Sequence, residues 1–225
     1  MKPGKKAGVH RALLTMLVLL VAGCSYTVKF DARLPVAPAV DQIPLHVGVY
    51  YSPEFVEYTK KAELIGCGPN GRRDRWGIFY VFPVGTVSRD LFDQIVASMF
   101  ATVTKTSGPP QSLNGAPSID GLLEPRIESF DWDTVCSAEY FSSGKFMAKV
   151  RYVINLYDSL DGHLVASMPA EGQHTENPRL SKLSLDWNYG AKGAIQDAMA
   201  KFILDFYDRS EVKAWVSTRM SGSQQ

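Results

Sequence analysis

Asp131 and Asp133 flank Trp132, and Glu124 and Glu128 lie just upstream. On a strand, Asp131 and Asp133 point the same way, which suggests paired carboxylates of the kind that cleave glycosidic bonds. Catalytic pairs usually come from separate elements set about 5–10 Å apart. The spacing here therefore favours a solvated strand face. His46, His163 and His174 are scattered and read as surface or satisfied histidines, although His174 has Glu171 and Glu176 close by. The chain has no Gly-x-Ser-x-Gly elbow, no His-Glu-x-x-His pair and no Walker phosphate loop. Cys67 and Cys136 form no Cys-x-x-Cys, and no histidine stands at ligand spacing from either, so neither a metal nor another cofactor is expected. Arg72, Arg73 and Arg75, in "GRRDRWG", are candidates for contact with an anionic partner, because a guanidinium grips a phosphate in two places. The plainer reading is a solvated loop in which Asp74 offsets part of the charge.

These residues belong to a chain of 225 residues, 45% hydrophobic and 21% charged, with a net charge of +1. That composition suits a single globular domain. It lacks the basic bias of a nucleic-acid binder, so no nucleic-acid partner is expected.

Alternation of apolar residues predicts strands over Leu45–Tyr51, Trp76–Gly85, Gly121–Val135, Lys145–Asp158 and His163–Glu176. Phe146, Ala148, Val150, Tyr152, Ile154 and Leu156 should share one face. Pro125 marks part of its strand as an edge or a bulge. Ser159–Gly162 supplies Asp-Gly turn chemistry between the last two strands. Helical spacing of Val87, Leu91, Ile95 and Met99, with Phe92, Val96, Phe100 and Val103 beside them, predicts a helix over Thr86–Thr106. A second helix is expected over Ala191–Asp208, with Ile195, Ala198, Met199, Phe202 and Phe206 on one side. Ser52–Asn70 reads as irregular, and residues 209–225 as a tail. The order implies an α+β fold: a mixed or antiparallel sheet of about four to five strands carrying two amphipathic helices on one face, in a single domain over 45–208. Trp132, Tyr140 and Phe141 form either a partner patch or a roof over the core.

The first residues have a different character. Lys2, Lys5, Lys6 and Arg11 precede twelve largely apolar residues, Ala12–Gly23, too few to cross a bilayer, which needs about 20. The pattern is that of a secretory signal peptide, here residues 1–23. Val21-Ala22-Gly23-Cys24 resembles the bacterial lipobox. That resemblance implies cleavage before Cys24, a diacylglycerol thioether on its sulfur and an acylated amine. Each buried methylene contributes about 0.8 kcal/mol, so several chains together anchor firmly. Ser25, where a retained lipoprotein carries Asp, implies sorting to the outer membrane, with the domain facing the periplasm. Residues 24–44, with Pro35, Pro38 and Pro44, read as an extended tether to which Tyr26–Phe30 could add a short strand. With Cys24 acylated in an oxidising compartment, two thiols remain. A Cys67–Cys136 disulfide is the expectation, against two separate thiols.

The strand ending in Phe82-Pro83-Val84-Gly85, the helix after it and the Asp161-Gly162 hairpin resemble YajG-type outer-membrane lipoproteins, over roughly Leu45 to Tyr207. The topology is also similar to that of the lipopolysaccharide-assembly lipoprotein and of auxiliary lipoproteins of ABC-type lipid transporters. These resemblances imply no catalytic residues. The expected function is that of a non-enzymatic, membrane-anchored lipoprotein that binds an envelope protein or lipid partner. The alternatives are a glycan-acting envelope enzyme and a purely structural lipoprotein.

Overall fold

The computed structural model describes residues 25–28, 40–109, 119–136, 144–176 and 187–222. Among the described residues, eight strands form two sheets. The larger has the order β5-β2-β6-β7-β8, built from β2 (Ile43–Val49), β5 (Phe100–Lys105), β6 (Gly121–Val135), β7 (Lys145–Asp158) and β8 (Leu164–Glu176). β2 runs parallel to β5 and β6, whereas β6, β7 and β8 form an antiparallel meander. The smaller sheet has the order β1-β4-β3, from β1 (Ser25–Thr27), β3 (Lys60–Cys67) and β4 (Arg73–Phe82). Among the described residues, four α-helices complete the fold: α1 (Pro53–Val56), α2 (Val84–Met99), α3 (Trp187–Asp208) and α4 (Ser210–Gly222). The α+β class follows from this, with two mixed sheets where one was expected.

The expected face of β7 is buried along its whole length, from Phe146 to Leu156. Both long helices cover it. Ser88 of α2 hydrogen-bonds Tyr152 of β7 at 2.6 Å, and α3 lies on β8 so closely that Gly172 abuts the α3 backbone at Ala194 and Ala198. Phe92 of α2 meets Phe202 of α3 with ring centroids 5.5 Å apart. Burying one such ring fully contributes about 1.5–3 kcal/mol.

In β6, a register shift between Ile127 and Ser129 inserts one residue against β7. This bulge keeps Leu123, Pro125 and Ile127, and then Phe130, Trp132 and Thr134, opposite the inward residues of β7. Pro125 sits where its missing N–H costs nothing. The Leu123 carbonyl accepts from Tyr50 at the end of β2. Two residues on, the Pro125 nitrogen faces the same side, where β2 pairing has ended.

Three expectations are corrected. The helix over Thr86–Thr106 ends at Met99: Phe100 is extended, and Thr102, Val103, Thr104 and their neighbours form β5, as β-branched residues favour strands. Ser52–Asn70 is ordered. Ser52 Oγ caps α1 by accepting the Phe55 N–H at 3.2 Å, with Pro53 in the first turn, and the alternation of Ala62 and Leu64 drives β3. Residues 210–222, read as part of a tail, form α4, whose Val212 and Trp215 are buried. The short strand that Tyr26–Phe30 could add to the tether is present over Ser25–Thr27, paired to Phe79–Val81. No helix among the described residues is long and apolar enough to cross a membrane.

Candidate functional site

The small sheet and the bulged half of β6 bring most of the singled-out residues together. Cys67, at the end of β3, forms a disulfide with Cys136, just past β6. The bridge spans 69 residues, and closing a loop of that size contributes about 4 kcal/mol in the chain-entropy model. Further along the two strands, Lys60 Nζ lies 3.3 Å from Asp131, and Arg73 pairs with Asp133, so the two carboxylates that suggested glycoside chemistry each hold a cation of the small sheet. Phe130 and Trp132 of β6 pack on Phe82 of β4 with ring centroids 5.5 Å apart, and Trp132 stacks on Phe146 at 5.4 Å. Trp132 thus belongs to the roof of the core. Tyr140 and Phe141 lie outside the described residues, as do residues 1–23 and Cys24.

Each of the three arginines faces a carboxylate. Arg72 is 2.9 Å from Asp74, Arg73 pairs with Asp133 and Arg75 pairs with Glu63. The hydrogen bonds from Arg75 hold the Glu63 carboxyl below the usual range. The guanidinium groups of Arg72 and Arg75 are nevertheless well exposed.

Where β2 ends, an open cleft of about 460 Å³ lies between α1 and β6, lined by residues that include Tyr50, Ser52, Tyr58, Glu124 and Arg126. Glu124 is buried, accepting from Arg126 at 3.0 Å and from the Tyr157 hydroxyl at 3.1 Å. Asn155 donates to Tyr157 at 3.3 Å and accepts from Ser167 at 2.8 Å. This chain of donors satisfies the buried carboxylate and gives it a structural role. Sequence reading singled out Glu124 only as a neighbour of Asp131, because Tyr157, which also donates to it, lies on another strand.

The histidines are dispersed. His46 Nε2 is 2.7 Å from Thr104 Oγ1, and His174 is 3.1 Å from Glu176. His163 is 2.6 Å from Asp161 and near enough to Asp158 that the three could converge on a cation. Asp158, however, already accepts from Leu160 N, Trp215 Nε1 and Arg219, which uses its lone pairs and balances its charge.

No family model matches this chain, and no curated protein matches it. Among solved structures it is similar to a DUF330-family protein from Xanthomonas campestris, at 15% identity and TM-score 0.41, over 89% of this chain and 97% of that one. It is similar to a candidate lipoprotein from Caulobacter crescentus, at 13% identity and TM-score 0.36, over 60% and 83%. It is also similar to a candidate neuraminyllactose-binding hemagglutinin homolog from Helicobacter pylori, at 9% identity and TM-score 0.41, over 86% and 100%. These descriptions include a lipoprotein and do not name the YajG type.

Proposed function

We propose that this chain is a non-enzymatic lipoprotein of the bacterial envelope. It is cleaved before Cys24, acylated there and held at the outer membrane, with its α+β domain facing the periplasm, where it binds a protein or lipid partner in envelope assembly or transport. The observation that carries this reading is the run from the basic start through Ala12–Gly23 to Val21-Ala22-Gly23-Cys24. The Cys67–Cys136 bridge agrees with an oxidising compartment. Asp131 and Asp133, the residues a glycan-acting enzyme would need, are engaged by Lys60 and Arg73 in joining the two sheets.

Intact-mass measurement on protein extracted from its native membranes tests the anchor. The expected mass is that of residues 24–225 carrying a diacylglyceryl group and an N-acyl chain. A retained leader or an unmodified Cys24 overturns the reading. Cross-linking in intact cells tests the partner, and a capture no richer than background counts against it.

A further inference from the structure

The small sheet carries a surface feature that the partner-binding reading does not use. Among the described residues, eight large hydrophobic side chains are exposed, and three of them, Tyr26 (64%), Trp76 (60%) and Ile78 (36%), lie on β1 and β4 of this sheet. Trp76 is braced in its exposed position. Its indole lies over Gly66, where a Cβ would come within 2.5 Å of the ring. Tyr26 and Tyr80 are register partners with ring centroids 6.2 Å apart, and Ile78, two residues before Tyr80, follows on the same face.

The position of this surface relative to the acylation site is fixed by covalent geometry. Ser25 pairs with Phe79 in parallel register. Residue 24 is one peptide from Ser25, so their Cα atoms are about 3.8 Å apart, and neighbouring strands lie about 4.8 Å apart. Acyl chains on Cys24 would therefore leave the protein beside Ile78 and Phe79, with no spacer between the lipid and the sheet. Residues 60–82 contain five basic and two acidic side chains, and two of the five, Lys60 and Arg73, are engaged by Asp131 and Asp133. Arg72 and Arg75 keep 72% and 76% of their side chains exposed despite their carboxylate neighbours.

We propose that the three-stranded sheet docks on the surface of a bilayer containing anionic phospholipid, seating Tyr26, Trp76 and Ile78 at headgroup level and bringing Arg72 to the phosphates. Tryptophan and tyrosine favour this zone because an apolar ring with a polar edge suits the boundary between acyl chains and water. The proposal rests on acylation at Cys24. The acyl chains hold the protein to the membrane, and the docked sheet fixes the orientation of the domain on it.

The test uses the acylated full chain labelled with fluorotryptophan, in vesicles of phosphatidylcholine and phosphatidylglycerol. The vesicles contain a phospholipid with a nitroxide just below the headgroup. Trp76→Phe assigns the Trp76 fluorine signal, and the buried Trp132 and Trp215 serve as internal references. The expected result is severalfold greater nitroxide broadening of Trp76 than of Trp132 or Trp215, reduced by Ile78→Asp and by salt. Equal broadening of the three signals overturns docking. So does a change at Trp76 that follows protein density on the vesicle instead of nitroxide content, since the occupant would then be a second copy. The intact mass of the same sample reports acylation separately, so failure of the anchor and failure of docking are distinguished.

Discussion

Trp215 donates its indole N–H to Asp158 Oδ2 at 3.1 Å, fastening α4 to the end of β7. Arg219, one turn further along α4, pairs with the same carboxylate, and all three side chains are largely buried. Removing one partner of a buried pair strands the other charge, which typically costs about 3–5 kcal/mol. Asp158→Ala should therefore destabilise the domain by about 3 kcal/mol in urea unfolding. Asp158→Ala combined with Arg219→Ala should cost less than the sum of the two single changes. Additive costs would show that the pair contributes nothing as a unit.

Ser88 Oγ and Tyr152 OH, 2.6 Å apart, form a polar contact sealed between α2 and β7. Ser88→Ala leaves a buried phenol without its partner and should cost about 1–3 kcal/mol. Burial pushes the Tyr152 phenol well above its ordinary value of 10.0. Burial together with the hydrogen bond to Asp93 does the same for Tyr51. In the unfolded chain both phenols ionise near pH 10, whereas in the folded chain they do not. The folded state thus binds more protons there, and stability is lost as pH rises above about 10. Ultraviolet titration should show these two phenolates emerging together with unfolding. Their ionisation in the intact fold would contradict the packing.

The antiparallel meander was legible because Phe146 through Leu156 alternate without interruption, and the β6 bulge between Ile127 and Ser129 keeps Phe130, Trp132 and Thr134 opposite that face. The end of α2 was less so: Phe100 and Val103 continue the helical stripe, and only the β-branched run from Thr102 onward signals a strand. α4 was missed because only Val212 and Trp215 are its fully buried apolar residues, with Val216 partly buried beside them, so its apolar stripe is too thin to stand out. At the site, the sequence gathered Cys67, Cys136, the arginines and the aspartates. It paired Cys67 with Cys136 but not the arginines with Asp131 and Asp133, since Arg73 meets Asp133 across 60 residues. The exposure of Trp76 was hidden for a related reason: in "WGIFYVF" the exposed and buried aromatics look alike until Gly66 is placed beneath the indole.

At Gly172, β8 and α3 approach so closely that a Cβ would run into the Ala194 carbonyl and the Ala198 nitrogen, both of them helix backbone. Backbone cannot turn aside as a flexible side chain can. Gly172→Ala should therefore force α3 away from the sheet and cost about 3 kcal/mol, the upper part of the usual overpacking range. Ser167→Ala, on the opposite face of β8, should cost less. Equal midpoints in urea for Gly172→Ala and the unaltered protein would refute the close approach.

β8 is the outer strand of the large sheet, and its free edge is occupied by its own helix. Asp197 of α3 accepts the Gln173 N–H at 3.0 Å, and Lys201 donates to the Glu171 carbonyl at 2.9 Å and to Asp197 at 2.9 Å. These backbone groups point away from β7. Pro169 falls in the same alternate set and has no N–H to offer. An unguarded strand of this length is a template for pairing with another chain. Asp197→Ala with Lys201→Ala should lower stability little, by about 1 kcal/mol or less, since both side chains are partly exposed. The expected effect is on association. Sedimentation velocity should show a higher apparent mass than for the unaltered protein, and adding Gln173→Lys, a charge on the bare edge, should reverse it. A double variant that sediments like the unaltered protein would mean that the edge is protected by something other than Asp197 and Lys201.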